Sequence, residues 1–156
     1  MRRISFDFDN VGGLLDVKAY PSEMYSELKR NYATGMSTFA PEDDSRAIAI
    51  PMYAGDTFQF SEQKDVADNG VYYSTEVAGI IPKLDPDNDE LMEELDRGEW
   101  ICVVRDNNGQ LRLVGSSETP LRFDSGKDTG VSFTSRNNVK FAFKGKCAMP
   151  SVVLEE

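Results

Sequence analysis

Apolar and polar side chains alternate with a period of two along much of this chain. Ile4, Phe6 and Phe8 alternate with serine and aspartate near the start, and Phe141 and Phe143 are separated by alanine near the end. Successive side chains of a β-strand point to opposite faces of the sheet, so this pattern is typical of half-buried strands. The alternation constrains the chain to fold mainly as β-sheet.

Turn-forming residues separate the alternating segments. Asn108 and Gly109 form a strong hairpin signal, because this pair tolerates positive φ, and residues 10–13 and 136–138 are further turns. We predict a half-buried strand at 4–8 and further strands at 14–20, 47–53, 57–60, 71–81, 100–104, 110–114, 131–135 and 139–147. We predict polar turns at 64–70 and 126–130 and a short edge piece at 120–123. Consecutive strands joined by such turns favour antiparallel pairing.

One segment, residues 86–97, has the pattern of an amphipathic α-helix. Asp85 or Asp87 can cap its start, and an acidic first turn favours the positive end of the helix dipole. Its apolar stripe, which we expect to pack on the sheet, consists of Leu91, Met92 and Leu95.

Two segments before position 47 are less regular. Residues 21–30 have apolar side chains at helical spacing, which is compatible with one or two helical turns. Residues 31–46 have little periodicity and include Gly35, Pro41 and an acidic run. We predict a long flexible loop there, and loops of that length in a compact domain are usually functional.

Length and charge limit the classes of protein to consider. The chain has 156 residues, which corresponds to a single domain spanning 1–156. Its 27 acidic residues outnumber 17 basic ones, giving a net charge of −10. A field of this sign repels phosphate backbones, so we expect no sequence-specific nucleic-acid binding. No apolar run approaches the about 20 residues of a membrane span, and no secretory signal follows Arg2 and Arg3. We therefore expect a cytoplasmic protein without a membrane partner.

The residue types that most often carry catalysis are scarce. The sequence contains no histidine, which removes the commonest general base and metal ligand. Cys102 and Cys147 both lie in apolar, strand-like segments. We expect two reduced, buried thiols there, with a single disulfide between neighbouring strands as the alternative. We predict a protein that is not an enzyme, with no catalytic residues and no cofactor.

Two local motifs only partly match ligand sites. Asp85, Asp87 and Asp89 have the spacing of a calcium loop, but Glu90 and Asp96 stand where an EF-hand needs glycine and glutamate. Acidic capping of the helix explains the cluster, so we predict no metal site. The glycines at 12–13, 126 and 130 do not match a phosphate-binding frame between a strand and a helix.

Three further features have a structural and a binding interpretation. Trp100, with Tyr72 or Tyr73 nearby, could form a sugar-stacking platform, although a single tryptophan more often packs in a core or at its rim. Lys140, Lys144 and Lys146 form a row that could contact an acidic partner, but a solvated strand face is the simpler explanation. A glycosidase-type carboxylate pair requires two acids that face each other, which the sequence does not identify.

The C-terminal half resembles small virion proteins of prophages. The resemblance rests on residues 113–123, a strand ending in glycine followed by a Pro-Leu edge, then on 128–130 and 141–145. Residues 9–14 are similar in character. The order of elements, with strands, a long loop, more strands, one helix and a β-meander, is also similar to that of the tail-tube family.

The resemblance implies a β-sandwich or barrel with a flanking helix that assembles into hexameric rings that stack. It implies other virion proteins as partners and the host cytoplasm as the location before assembly. The loop at 31–46 would order against a neighbouring ring, and the acidic charge would suit a channel in which DNA slides. Tube, terminator and neck components are all compatible with it.

We therefore expect an antiparallel β-sandwich or distorted barrel with one helix at 86–97. The expected function is that of a structural protein, a phage or prophage tail tube or head-tail connector component that forms rings. The alternative is a carbohydrate- or ligand-binding β-sandwich module that uses Trp100.

Overall fold

The computed structural model describes residues 11–25, 28–41, 44–50, 58–82, 86–132 and 138–155. The strands are β1 (Leu14–Pro21), β2 (Lys29–Arg30), β3 (Ser37–Thr38), β4 (Ile48–Ala49), β5 (Phe58–Ala67), β6 (Gly70–Pro82), β7 (Glu99–Asp106), β8 (Leu111–Val114), β9 (Leu121–Asp128), β10 (Asn138–Cys147) and β11 (Val152–Leu154). The helices are α1 (Pro86–Arg97) and two 3-10 turns, Ser22–Met24 and Asp44–Arg46. The prediction of a mainly β fold with one helix at 86–97 is confirmed.

The strands form one branched sheet, in the order β2-β3-β11-β8-β7-β9-β10-β6-β5, in which β1 also pairs with β7 and β4 pairs with β1. One side of β7 pairs with β1. Its other side pairs with β8 through residues 102–105 and with β9 through residues 99–100. All pairs are antiparallel except β11 with β3. The sheet does not close into a barrel, because its two halves diverge at β7 and pack face to face, as in a β-sandwich.

The main hydrophobic core lies between these two halves. Val17 and Val114 come from one half, and Val77 and Phe143 come from the other; all four are fully buried. Aromatic rings contribute to this core. Phe123 and Phe143 are paired across β9 and β10, and their ring centroids lie 5.1 Å apart.

Helix α1 covers one side of this core. Met92 and Leu95 are buried and Leu91 is half-buried, so the predicted apolar stripe is the face that packs. At the exposed start of the helix, the Asp89 carboxylate lies 2.6 Å from Nζ of Lys127 on β9. The helix is therefore held by apolar burial along one face and by an ion pair at its acidic first turn.

Strand β7 is buried on both faces, as its continuous apolar sequence suggests. Trp100, Cys102 and Val104 face the main core. Ile101 and Val103 face a second cluster, built on Tyr20, Ile101, Leu113 and Leu154. This strand therefore joins the two hydrophobic clusters of the domain.

The segment at 31–46, predicted as a long loop, carries part of that second cluster. Phe39 packs on the ring of Tyr20, with centroids 5.6 Å apart. The segment also contains β3 and the 3-10 turn Asp44–Arg46. Farther upstream, the described residues of 21–30 form the 3-10 turn Ser22–Met24 and β2 and no α-helical turn.

The predicted polar turn at 64–70 is wrong, because β5 continues to Ala67. It pairs with β6 without interruption from Phe58 opposite Gly79 to Ala67 opposite Gly70. Its sequence is polar on both faces because this part of the hairpin extends beyond the core. The turn lies only at the following two residues.

The predictions for the region after β8 are also partly wrong. The piece at 120–123 begins β9, an internal strand between β7 and β10, and residues 126–128 belong to that strand and not to a turn. Strand β10 pairs with β9 on one side and with β6 on the other. Residues 131–132 form a bend, and 133–137 lie outside the described residues.

Close packing explains the glycine at 145, where a Cβ would lie 2.8 Å from Cδ2 of Leu121.

Other local predictions are confirmed. The long strand predicted at 71–81 is β6, and the hairpin between β7 and β8 turns at residues 107–109, with φ of +86° at Gly109. The side-chain amides of Asn107 and Asn108 donate to the main-chain carbonyls of Gly12 and Val11.

Two predicted strand regions, 4–8 and 51–53, lie outside the described residues. No helix in the described part of the chain is long and apolar enough to cross a membrane.

Candidate assembly surface

Strand β5 forms an open edge of the sheet. It pairs with β6 on one side, and no strand among the described residues pairs with its other side. This edge is ten residues long, whereas β2 and β4, the other terminal strands, have two residues each. Unpaired main-chain N–H and C=O groups along a strand edge are a template for pairing with another chain.

Strand β5 lacks several of the usual protections of an edge strand, although one charged side chain, Lys64, is exposed. It contains no proline, and its pairing with β6 shows no bulge. Two of its charged side chains are engaged within the chain: Glu62 accepts the N–H of Ser151 at 2.8 Å, and Asp65 accepts the hydroxyl of Ser74 at 2.6 Å. Short strands, prolines, bulges and free charges are the features that commonly block edge pairing.

Beyond Tyr73, the β5–β6 hairpin continues as a two-stranded ribbon, because β10 pairs with β6 only from Tyr73 to Pro82. Val66 and Val71 face each other across this ribbon and are 77% and 45% exposed. A two-stranded ribbon is at best marginally stable in water on its own. An uncovered apolar pair on such a ribbon is a feature of a contact surface.

This ribbon was not predicted from the sequence. Its signal was the Asn69–Gly70 pair between the two valines, since Asn-Gly favours a tight hairpin. The strand itself was missed because residues 61–65 are all polar, so no apolar side chain alternates with them before Val66.

The lysine row of β10 lies on the outer face of the sheet, as the solvated-face interpretation predicts. Lys140 and Lys144 are exposed, and Nζ of Lys146 lies 5.4 Å from the ring centroid of Tyr72. Lys144 stands between Glu76 and Arg122 on the neighbouring strands. This face therefore carries charges of both signs and does not form a uniformly basic surface.

Trp100 belongs to the core, so the packing interpretation of this residue is confirmed. It is 4% exposed, and its indole N–H donates to the carbonyl of Leu95 at 2.8 Å. Tyr72 and Tyr73 are consecutive in β6, so their side chains point to opposite faces. The structure does not bring these three rings together as a sugar-stacking platform.

Both cysteines are buried and unpaired, as expected. Burial raises the pKa of the Cys102 thiol, because a thiolate loses its hydration inside the core. The Cys147 sulfur lies 3.5 Å from the hydroxyl of Thr75. Neither thiol has the exposed, electropositive surroundings of a nucleophile.

The acidic residues at the start of α1 stabilise the helix and its contact with β9. Asp89 pairs with Lys127, and Asp87 lies in the first turn, while Asp85 is outside the described residues. Across the part of the chain that the structure describes, no group of three histidine, cysteine or acidic side chains could hold a metal ion.

Comparisons with known proteins found no significant similarity: no family model matches the chain, and neither a curated protein nor a solved structure matches it.

Proposed function

We propose that this chain is a structural protein without enzymatic activity, a component of a phage or prophage tail that self-associates into rings. The observation that supports it best is the ten-residue open edge of β5. Pairing of this edge with a neighbouring chain would satisfy its main-chain groups and extend the sheet between subunits.

The geometry of such an edge suits repeated assembly. A contact between two different surfaces of the same chain is heterologous, and it generates a ring when the rotation between subunits closes. The hexamer of the tail-tube family is the ring size implied by the resemblance in residues 113–123 and 141–145. Tube and head-tail connector components share this requirement for ring contacts.

The chemistry of the side chains is consistent with a role in assembly. The sequence has no histidine, and both thiols are buried. The net charge of −10 suits a channel through which DNA passes without adhering. A carbohydrate-binding function based on Trp100 has less support, because this side chain is buried beneath α1.

The test is the native mass of the purified protein, measured by light scattering over a range of concentrations. We expect the wild type to form a ring or a series of larger species. Replacing Ser61 and Gln63 by lysine, S61K/Q63K, should give a monomer, because lysines along an edge strand oppose pairing. Both side chains are exposed, so the fold should be retained.

The control is T129K/V131K, which adds the same charge at exposed positions outside β5. It should assemble like the wild type, and far-UV circular dichroism should be the same for all three proteins. A wild type that is monomeric at every concentration would contradict self-association. Unchanged assembly of S61K/Q63K would exclude β5 as the contact.

A further inference from the structure

A partly enclosed apolar pocket opens near the end of β10. Its volume is about 280 Å³. The loop joining β8 to β9, the residues after β10 and the side chains before β2 surround it. Its apolar lining consists of Tyr25, Leu28, Leu113, Met149, Pro150 and Val152.

The polar groups at the mouth of this pocket are mostly satisfied within the chain. The hydroxyls of Ser116 and Thr119 lie 3.1 Å apart and bond each other, and the Ser116 hydroxyl also accepts the N–H of Thr119. Glu118 is exposed at the rim. Burial, and then the negative charge of Glu118, raise the pKa of Tyr25. The pocket thus combines an apolar interior with one free negative charge at its edge.

The size of the pocket favours side chains over a cofactor. Small-molecule sites usually measure roughly 300–1,000 Å³ and are larger than this one. A cavity of about 150 Å³ accommodates a benzene molecule, so about 280 Å³ accommodates one or two branched aliphatic side chains. Met149 is largely exposed beside it, which leaves the entrance lined by apolar surface.

The ribbon of the β5–β6 hairpin has the complementary surface. Val66 and Val71 form an exposed cross-strand pair, and Lys64 lies on the same face, opposite Tyr73. Residues two apart in a strand are separated by about 7 Å. The ribbon therefore presents two aliphatic side chains with a cation beside them.

We propose that the Val66–Val71 pair of one subunit inserts into the pocket of a second copy, with Lys64 against Glu118. Neither valine lines the pocket of its own chain. A partner for an acidic protein must avoid like charges at the contact, and Lys64 opposite Glu118 meets this condition. This inference rests on the proposed self-association, and it names one contact by which it occurs.

The first test removes the apolar contact from each side. V66S/V71S on the ribbon and M149E at the pocket should each weaken association about tenfold or more, since buried apolar anchors dominate interfaces. All three positions are exposed in the subunit, so each variant should keep the fold. The matched control is V131S, which truncates an exposed valine elsewhere and should associate like the wild type.

The second test exchanges the two charges. K64E and E118K should each weaken association several-fold, and the double variant K64E/E118K, which has the net charge of the wild type, should restore it. Dissociation constants from sedimentation or light scattering give the coupling in a double-mutant cycle. If the double variant associates no more tightly than the single variant with the lower affinity, the placement of Lys64 beside Glu118 is overturned.

The outcomes separate this inference from the proposed function. A wild type that never associates refutes self-association and the inference with it. A wild type whose association is lost in S61K/Q63K but unchanged in V66S/V71S and M149E keeps the function and overturns the inference. Loss in M149E without loss in V66S/V71S means that the pocket receives something other than the ribbon, which also overturns it.

Discussion

Tyr20 connects two segments of the chain that are distant in sequence. It ends the buried part of β1, and its hydroxyl donates to the Asp44 carboxylate at 2.9 Å. Burial, and then this hydrogen bond and the negative charge of Asp44, raise the pKa of Tyr20 to about 12. The contact holds the 3-10 turn Asp44–Arg46 against the second hydrophobic cluster. At the residue scale, a few such polar contacts determine how the irregular segments lie on the sheet.

We predict that Y20F lowers the free energy of unfolding by about 1–2 kcal/mol at neutral pH, because Asp44 loses a buried donor. The pKa of Tyr20 is higher in the folded than in the unfolded state, so its contribution is complete below about pH 10 and is lost as the pH rises through about 12. Urea unfolding at several pH values should show the difference between Y20F and wild type shrinking over that interval.

The matched control is Y32F, because Tyr32 is 91% exposed and should tolerate loss of its hydroxyl at any pH. A difference between Y20F and wild type that stays constant up to pH 12 would contradict the role of this hydroxyl.

At the scale of elements, α1 and β5 illustrate opposite relations between pattern and burial. The apolar stripe of α1 predicted its contact face, since Met92 and Leu95 are buried. Strand β5 is equally regular in its pairing, yet its sequence has no apolar alternation after Phe60, and its residues 61–67 are exposed or half-buried. Pattern analysis detects elements that bury one face, and it misses those whose two faces stay in water.

We predict that L95D unfolds or strongly destabilises the domain, by more than about 4 kcal/mol, because a carboxylate would replace a fully buried side chain. Thermal melting followed by circular dichroism measures the effect. The control is E94D, at the adjacent exposed position. Its free energy of unfolding should lie within about 0.5 kcal/mol of the wild-type value. Equal melting temperatures for L95D and wild type would mean that α1 is not docked through Leu95.

At the scale of the whole molecule, β7 determines how the parts depend on one another. Trp100 and Val104 belong to the main core, and Ile101 between them belongs to the second cluster. One strand thus contributes to both clusters, so neither can lose its packing without exposing a face of β7. We infer that the two clusters unfold together.

This inference predicts the response of the only tryptophan to a distant substitution. L154A removes buried volume from the second cluster and should cost about 2 kcal/mol or more. Trp100 lies in the other cluster, yet its fluorescence midpoint in urea should fall as far as the midpoint from circular dichroism. An unchanged fluorescence midpoint beside a lowered dichroism midpoint would show that the clusters unfold separately.

Local information in the sequence was sufficient for several features. The period of two predicted β10, the β-forming residues of 71–81 predicted β6, the acidic cap and apolar stripe predicted α1 over 86–97, and Asn108–Gly109 predicted the turn between β7 and β8. These features depend on residues close together in the chain, whose conformational preferences are expressed before any distant contact forms. The burial of both thiols likewise followed from the apolar neighbours of Cys102 and Cys147.

Only the tertiary structure decided which strands are neighbours and which faces are covered. The polar sequence of β9 occupies the middle of the sheet because β7 and β10 pair with its main chain, which carries no sequence signal. The second face of β7 is buried because Tyr25, Leu28 and Phe39, from irregular segments, pack on the cluster around Tyr20 and Ile101. No strand among the described residues pairs with the outer edge of β5, and the valine pair at 66 and 71 is exposed. Burial depends on what lies above a side chain, and that neighbour comes from a distant part of the chain.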